Sequence, residues 1–450
     1  MRNPLAVAAL MVCALLRSAA QPPTPADARL PVYLEALVLP SPDSSAWLAI
    51  LNYRIDRDFF IPVRTNDAAA EGQFRRTGEI LIELTDSTDA PAGRQFRRVD
   101  LAEAALSPPT LERRWLQGTA SFVVPEGTHR VFFEATDAES RRRQANRETI
   151  IRTPRRPLGA AIISGAAFIA PPDPHAPDSL LFENLGGDFL FGKGRSLLVG
   201  LRLSDDTSTT ARYRFTFTLR SHNKEDERIQ ASDSGRSLPI IRRSQIAMCE
   251  SCTEVRGVVH APGPEASSFV VIPLPTALLP LRDYTMQVDV TTAAGTRATL
   301  SRPVRALWPE MPFSLKDVDG ALDALRIITS PRQLDSLRSG SFEQKRDALE
   351  AFWQSRNPNA GTARNEVMAE YYRRVDYAIR NFGTIRVPDG SRSDRGKIYI
   401  LYGAASRTER ALNPAGAHME TWIYERLKKR FIFVDEDRNG TYSLVTTTSQ

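Results

Sequence analysis

Trp353-Gln354-Ser355-Arg356-Asn357-Pro358 opens the most distinctive stretch of the chain, which continues through Tyr371-Tyr372-Arg373-Arg374 to Asp394-Arg395-Gly396-Lys397-Ile398-Tyr399-Ile400-Leu401-Tyr402-Gly403. Apolar residues recur at three- and four-residue steps from Phe342 to Trp353 and from Met368 to Phe382, which predicts two amphipathic helices. Ser341 and Gln344 form a capping-box pattern before the first helix, and Thr362 is the expected N-cap of the second. Val318–Thr329 is a third helical candidate.

Short apolar runs follow these helices and predict four strands: Lys397–Tyr402, Met419–Tyr424, Phe431–Val434 and Thr441–Val445. Asn439-Gly440 is a hairpin signal between the last two runs. The pattern predicts an α+β domain over residues 315–450, with the helices packed on a small antiparallel sheet.

Upstream of residue 315 the periodicity changes from helical to β-type. The alternating run Arg212–Leu219 is typical of a sheet with one buried face. Other expected strands are Val32–Val38, Trp47–Tyr53, Gly78–Leu84, Thr119–Val124, His129–Ala135, Leu180–Phe182, Asp188–Phe191, Ser196–Leu203, Ser268–Ile272 and Tyr284–Val290. Short strands at this spacing favour two antiparallel, immunoglobulin-like β-sandwich domains, over residues 27–155 and 156–308, with a linker at Thr153–Pro157.

The N-terminus has the pattern of a secretory signal peptide over residues 1–20. Arg2 precedes the apolar run Leu5–Leu16, and Ser18-Ala19-Ala20 offers small residues for cleavage near Ala20. An uncleaved anchor is the alternative, although the run is shorter than the ~20 residues of a spanning helix. We expect a periplasmic or secreted protein with no transmembrane segment after cleavage.

Composition and charge are those of an ordinary globular protein, with 42% hydrophobic residues and a formal net charge of +6. Arg141-Arg142-Arg143 and Lys428-Lys429-Arg430 are interspersed with acidic residues, so we expect solvated turns and no nucleic-acid partner. No cofactor motif or metal-ligand set is complete, and no cofactor is expected.

Cys249 and Cys252 are the two cysteines that remain after signal removal. A local disulfide is the favoured interpretation in an oxidising compartment, and free or redox-active thiols and a metal site are the alternatives. A zinc site would need two further ligands.

The C-terminal stretch resembles the GWxTD-domain family of bacterial exported proteins over about residues 315–446. The resemblance rests on the segments quoted above together with Asn381-Phe382, Trp422-Ile423-Tyr424 and Phe431–Asp435. In the signature itself, Gly390-Ser391-Arg392-Ser393-Asp394, serines stand where the family has Trp and Thr. If that Trp contacts a ligand or partner in the family, the contact is lost or altered here. The resemblance implies an exported protein and brings no activity with it.

Eight residues form the candidate binding edge: Arg356, Asn365, Glu366, Arg373, Arg374, Asp394, Arg395 and Tyr402. They could line a polar cleft, or they could be caps and ion pairs that fix the fold. No catalytic set is recognisable. We therefore expect a non-catalytic binding or scaffolding protein of the bacterial envelope with a protein partner.

Two alternatives remain open. The first is an envelope-polymer hydrolase or transferase that uses Glu366 and Asp394 and requires both in one cleft. The second is carbohydrate binding by the β-sandwiches, for which exposed aromatic residues such as Trp47 or Trp115 would have to line a groove.

Overall fold

The computed structural model describes residues 32–41, 46–65, 74–103, 115–153, 162–203, 208–220, 228–249, 254–260 and 267–449. The signal segment, the Thr153–Pro157 linker after its first residue, and Cys252 lie outside these ranges. Within them, none of the helices has the length and apolar character that spanning a membrane requires.

The first β-region, residues 32–153, consists of two antiparallel sheets that share one core. The smaller sheet has the order β1-β2-β6, and the larger contains β3, β4, β7 and β8 with β5 paired to β4. Trp47, Leu51, Ile82 and Phe133 pack together between the sheets. The strands are β1 (Val32–Pro40), β2 (Ala46–Asp56), β3 (Pro62–Arg64), β4 (Phe74–Thr85), β5 (Pro91–Glu103), β6 (Trp115–Pro125), β7 (Gly127–Asp137) and β8 (Arg143–Thr153).

The second β-region, residues 162–308, pairs a sheet of order β10-β16-β15-β17-β12-β9 with one of order β11-β19-β18-β13-β14. The pairings are antiparallel except for β11 with β19. Its strands are β9 (Ile162–Ile169), β10 (Ser179–Leu181), β11 (Phe189–Leu190), β12 (Arg195–Arg202), β13 (Thr210–Leu219), β14 (Ile229–Pro239), β15 (Ile241–Met248), β16 (Arg256–His260), β17 (Ser267–Leu274), β18 (Asp283–Thr292) and β19 (Arg297–Leu307).

The sheet that contains β12 is covered on both faces, which explains the nearly continuous apolar run in that strand. Leu197 and Val199 face the core of the second β-region, whereas Leu198 faces a separate core shared with the first β-region. Leu37 and Ile50 supply the other side of that shared core. A strand buried on both faces needs apolar residues at consecutive positions rather than at alternate ones.

The C-terminal region, residues 313–449, packs five helices against an antiparallel sheet of order β20-β21-β22-β23. Its core contains Trp353, Tyr372, Trp422 and Phe433. The elements are α1 (Val318–Ala324), α2 (Pro331–Arg338), α3 (Phe342–Gln354), α4 (Glu366–Phe382), α5 (Asp394–Tyr402), β20 (Arg407–Leu412), β21 (His418–Tyr424), β22 (Lys429–Asp435) and β23 (Ser443–Ser449).

The structure confirms the β-rich N-terminal part, the C-terminal helices and both bonds of the Ser341 capping box. It corrects Lys397–Tyr402, which is the helix α5 and not a strand. Ser393 caps this helix by accepting a hydrogen bond from the Gly396 amide, and an apolar run this short does not distinguish helix from strand by itself. It also corrects the N-cap of α4, which is Asn365 and not Thr362.

Candidate functional site

The start of α4 is fixed by Asn365, which is 1% exposed. Its side-chain oxygen accepts hydrogen bonds from the backbone amides of Val367 and Met368 at 2.9 and 3.1 Å. Its amide group donates to the carbonyl of Trp353 at 2.6 Å. Asn365 therefore caps α4 and ties it to the end of α3.

Charged residues near this end of α4 pair with one another at the surface. Glu366 lies 3.0 Å from the Nε atom of Arg364. Arg373 and Arg374 share Glu370 at 3.0 and 2.7 Å. Pairs at exposed positions of this kind contribute about 0–1 kcal/mol each, because water screens them.

Arg356 follows α3 and folds back over it. Its guanidinium carbon lies 3.8 Å from the ring centroid of Phe352, and Nη1 donates to the Phe352 carbonyl at 2.8 Å. The Arg356 side chain thus covers the C-terminal end of α3 through a cation–π contact and a hydrogen bond.

The signature loop packs against the opposite end of α4. A Cβ atom on Gly390 would lie 2.1 Å from the carbonyl oxygen of Ala378, so only glycine allows this approach. Ser391 is buried, donates to Asp389 at 2.7 Å and accepts from Arg326 at 2.9 Å. The signature loop is thus joined to the residues just after α1 by the hydrogen bond between Ser391 and Arg326.

Asp394 begins α5 at the same end. It accepts a hydrogen bond from the Leu444 amide at 3.0 Å and pairs with Lys397 at 3.0 Å. Burial opposes its ionisation, but the Leu444 amide and the Lys397 ammonium outweigh that effect and hold the pKa of Asp394 below its usual range. A carboxyl group held ionised in this way is a poor proton donor.

Arg395 and Tyr402 link α5 to the sheet. Arg395 lies 3.1 Å from Glu420 and 4.1 Å from the ring centroid of Tyr442. The Tyr402 hydroxyl accepts a hydrogen bond from Lys429 at 3.1 Å.

The predicted edge therefore divides into two groups at the two ends of α4. The 13 residues from Asn365 to Ala378 correspond to about 20 Å of helix at 1.5 Å per residue. Glu366 stands at one end and Asp394 beyond the other, so the carboxylate pair required by the hydrolase alternative is not brought together. Neither side chain lines the cleft described next.

A cleft of about 670 Å³ lies between the second β-region and the C-terminal region. Its apolar lining comes from both sides: Phe191, Leu278, Pro280, Leu281, Trp308, Met311, Leu315, Leu349, Trp353 and Met368. Its polar lining includes Arg228, Lys316, Arg346, Asp347 and Glu350. Concave apolar sites of this size with a few polar groups are typical of ligand-binding sites and are common at domain interfaces.

An ion cluster centred on Arg282 holds the two sides of the cleft together. The buried guanidinium contacts three carboxylates on one face of α3: Glu343 at 2.7 Å, Asp347 at 2.7 Å and Glu350 at 2.9 Å. Burial by itself lowers the pKa of Arg282, but the three carboxylates together outweigh burial and hold this pKa above its usual range. The cluster crosses from the start of β18 to α3.

The sequence does not reveal this site, because its lining is spread from residue 191 to residue 368. One signal was available: Glu343, Asp347 and Glu350 recur at four- and three-residue steps, which places three carboxylates on one helix face. Their common partner, Arg282, lies more than 60 residues upstream and gave no signal in the sequence.

The two aromatic residues considered for carbohydrate binding are covered, wholly or in part, by other residues of the first β-region. Trp47 is fully buried in the first core. Trp115 is partly covered, with Tyr33 at 5.6 Å and the Arg54 guanidinium at 4.4 Å from its ring.

Fold and site together define a β-rich protein with an α+β C-terminal region and a cleft where that region meets the preceding sheets. Residues 284–449 match the GWxTD domain. The C-terminal region thus matches the domain that the sequence motifs resemble, and the match starts within β18, upstream of the predicted boundary at residue 315.

Other comparisons add little. No curated protein matches the chain by sequence. Among solved structures, the DNA-binding domain of C. elegans Cep-1, the ortholog of human p53, is 13% identical in sequence with a TM-score of 0.15. The alignment covers 33% of this chain and 90% of the Cep-1 chain. Dimeric latent PorU from Porphyromonas gingivalis has 10% identity and a TM-score of 0.15, covering 62% of this chain and 24% of its own. Neither likeness supports a structural or functional argument.

Proposed function

We propose that this protein is an exported, non-catalytic binding module of the bacterial envelope, and that the cleft beside α3 is its binding site. The observation that carries the proposal is the cleft itself, an open apolar concavity between two regions that are held together by the Arg282 cluster. A site built between two fixed regions is preorganised, so a ligand does not have to order it on binding.

The remaining parts of the proposal come from the sequence. The signal pattern at residues 1–20 supports export, and the pair Cys249 and Cys252 supports a disulfide in an oxidising compartment. Cys249 follows β15 and Cys252 lies outside the described residues, so their pairing is part of the proposal. The two β-regions would be immunoglobulin-like sandwiches that serve as spacers, with domains divided near residues 155 and 308.

Site-specific photo-crosslinking from within the native envelope tests the binding site. A photoreactive residue in place of Phe342, an exposed residue of the cleft rim, should give a defined adduct. The matched control is the same residue in place of Ile385, which is fully exposed in the loop after α4 and does not line the cleft.

A cleft-filling change sharpens the test. Ala351 is exposed and lines the cleft, so Ala351→Trp should fill the space without disturbing a core, and should remove the Phe342 adduct. Identical adducts at both positions, or an adduct that persists in Ala351→Trp, would overturn the proposed site.

A further inference from the structure

The inner wall of the cleft is apolar and contains large rings. Phe191 and Trp308 are buried and lie with ring centroids 5.6 Å apart, and Leu349 and Trp353 supply the α3 side. At the rim, Leu278 and Phe342 are both more than half exposed. A continuous apolar path from rim to floor suits a chain-like apolar group, because its burial removes apolar surface from water on both partners.

The polar part of the lining has an excess of positive charge. Arg228, Lys316 and Arg346 line the cleft, while the lining carboxylates, Asp347 and Glu350, are already bonded to Arg282. Arg228 reaches Asp347 only at 3.4 Å, and Lys316 is exposed.

Arg346 is the clearest case of a cation without a full counter-charge. It lies 4.0 Å from Glu350, the carboxylate that Arg282 contacts at 2.9 Å, and it donates to the Leu281 carbonyl at 2.7 Å. Burial, and next the neighbouring Arg282 cation, lower the pKa of Arg346. An incoming anion would offset the repulsion from Arg282 and compensate part of the cost of burial, since it supplies negative charge where the existing carboxylates are shared.

We infer, resting on the proposed binding site, that the cleft takes a single-chain amphiphile with one anionic head group, such as a medium-chain fatty carboxylate. The carboxylate lies at Arg346 and Lys316, and the chain lies along the wall formed by Trp308, Leu349 and Trp353. A neutral ligand of the same length gains the apolar contacts and leaves the cations unmatched.

Isothermal titration with two probes of equal chain length, decanoate and decanol, tests this at neutral pH on the full mature chain. Decanoate should bind at least about tenfold more tightly than decanol, the ratio expected from one charge-assisted contact. The double variant Arg346→Gln/Lys316→Gln should remove that preference and leave decanol binding unchanged. Ala351→Trp should abolish both, and Arg386→Gln, whose exposed side chain pairs with Asp437 outside the cleft, should change neither.

Equal binding of the two probes, or a preference that survives in the double variant, would overturn the inference. So would decanoate binding that is unaffected by Ala351→Trp, since it would place the ligand elsewhere. If the photoreactive residue at position 342 gives its adduct but the protein does not bind decanoate, the proposed binding site stands and only the inference of an anionic amphiphile is overturned. Circular dichroism of each variant verifies that the fold is intact.

Discussion

The second β-region meets its two neighbours through two junctions that differ in how closely they are packed. Its junction with the first β-region is sealed by an apolar core that includes Leu37, Ile50 and Leu198. Its junction with the C-terminal region also has apolar contacts, including Ala369, but it adds the ions around Arg282 and leaves an open cleft beside them. The difference shows that two junctions of one region can differ in packing, one closed by a core and one left with a cleft beside an ion cluster.

The two junctions also treat a buried arginine differently. Arg282 has a carboxylate within 2.9 Å of each of its three guanidinium nitrogens. Arg302 in the sealed junction donates from Nη1 to the Ala166 carbonyl at 3.2 Å, while its Nε and Nη2 atoms have no hydrogen-bond partner among the described residues. The sealed junction thus buries an arginine with fewer polar partners than Arg282 has.

Glu35 is the acidic counterpart in the sealed junction and faces Arg302, Glu183 and Asp188. Burial raises the pKa of Glu35 to about 7; Arg302 opposes the shift, and Glu183 and Asp188 add to it. Glu183 pairs with Arg195 and Asp188 with Arg305, so neither acid is left to compensate Arg302 alone. The sealed junction is therefore predicted to be pH-sensitive.

The largest expected effect follows from Arg282→Met. The change leaves three carboxylates on one face of α3 without their common cation. We expect a loss of about 3 kcal/mol in unfolding free energy, at the low end for a broken buried ion pair because the carboxylates are 32–43% exposed. Denaturant unfolding and hydrogen exchange at α3 measure it. Arg212→Met, at an exposed position of β13, is the control; equal losses in both variants would contradict the role of the cluster.

The next effect is the pH dependence that Glu35 creates. The pKa of the Glu35 carboxyl is about 7 in the folded protein and near its ordinary value of 4.5 in the unfolded chain, so stability falls as pH rises between these values. A shift of this size corresponds to about 3 kcal/mol. Glu35→Gln should flatten the fall in unfolding free energy between pH 4.5 and pH 7.

Glu79→Gln is the matched control for Glu35, because Glu79 is exposed on β4 of the same β-region. It should keep the wild-type pH profile. If Glu35→Gln keeps that profile too, the sealed junction is not the source of the pH dependence.

A smaller effect is expected from the close approach of β1 and β9. A Cβ atom on Gly165 would lie 2.7 Å from the Val38 carbonyl oxygen and 2.8 Å from its nitrogen, so Gly165→Ala should force the strands apart. Overpacking of this kind costs about 1–3 kcal/mol, measurable by denaturant unfolding. Gly194→Ala, where a Cβ atom meets nothing within 4 Å, should not destabilise the protein; a loss as large as that at Gly165 would contradict the steric explanation.

The smallest effect is expected for Glu366→Gln, away from both junctions. Glu366 is 65% exposed, and water screens its pairing with Arg364. The unfolding free energy should change by less than about 0.5 kcal/mol, and decanoate affinity should stay as in the wild type. A large loss of decanoate affinity in Glu366→Gln would indicate that Glu366 belongs to the binding site after all.

Local patterns were sufficient where one element determines its own structure. The Ser341 capping box, the stripe of α4 and the alternation in β13 each predict an element that the structure contains. They were insufficient for Lys397–Tyr402, because five or six apolar residues suit either a strand or a helix and the Ser393 cap decides. For α2, the sequence does carry a signal, since Ser330 is a good N-cap and Pro331 suits the first helical position.

Periodicity, caps and a set of motifs predict the β-rich start, the α+β end and the likeness to the GWxTD domain, because each of these depends on residues close together in the chain. Which polar residues meet is a property of the folded molecule. The tertiary structure placed Asn365 and Asp394 at opposite ends of α4, joined Arg282 to α3 and left a cleft between regions distant in the chain. Such contacts depend on how the regions pack, and local periodicity carries no information about packing between distant segments.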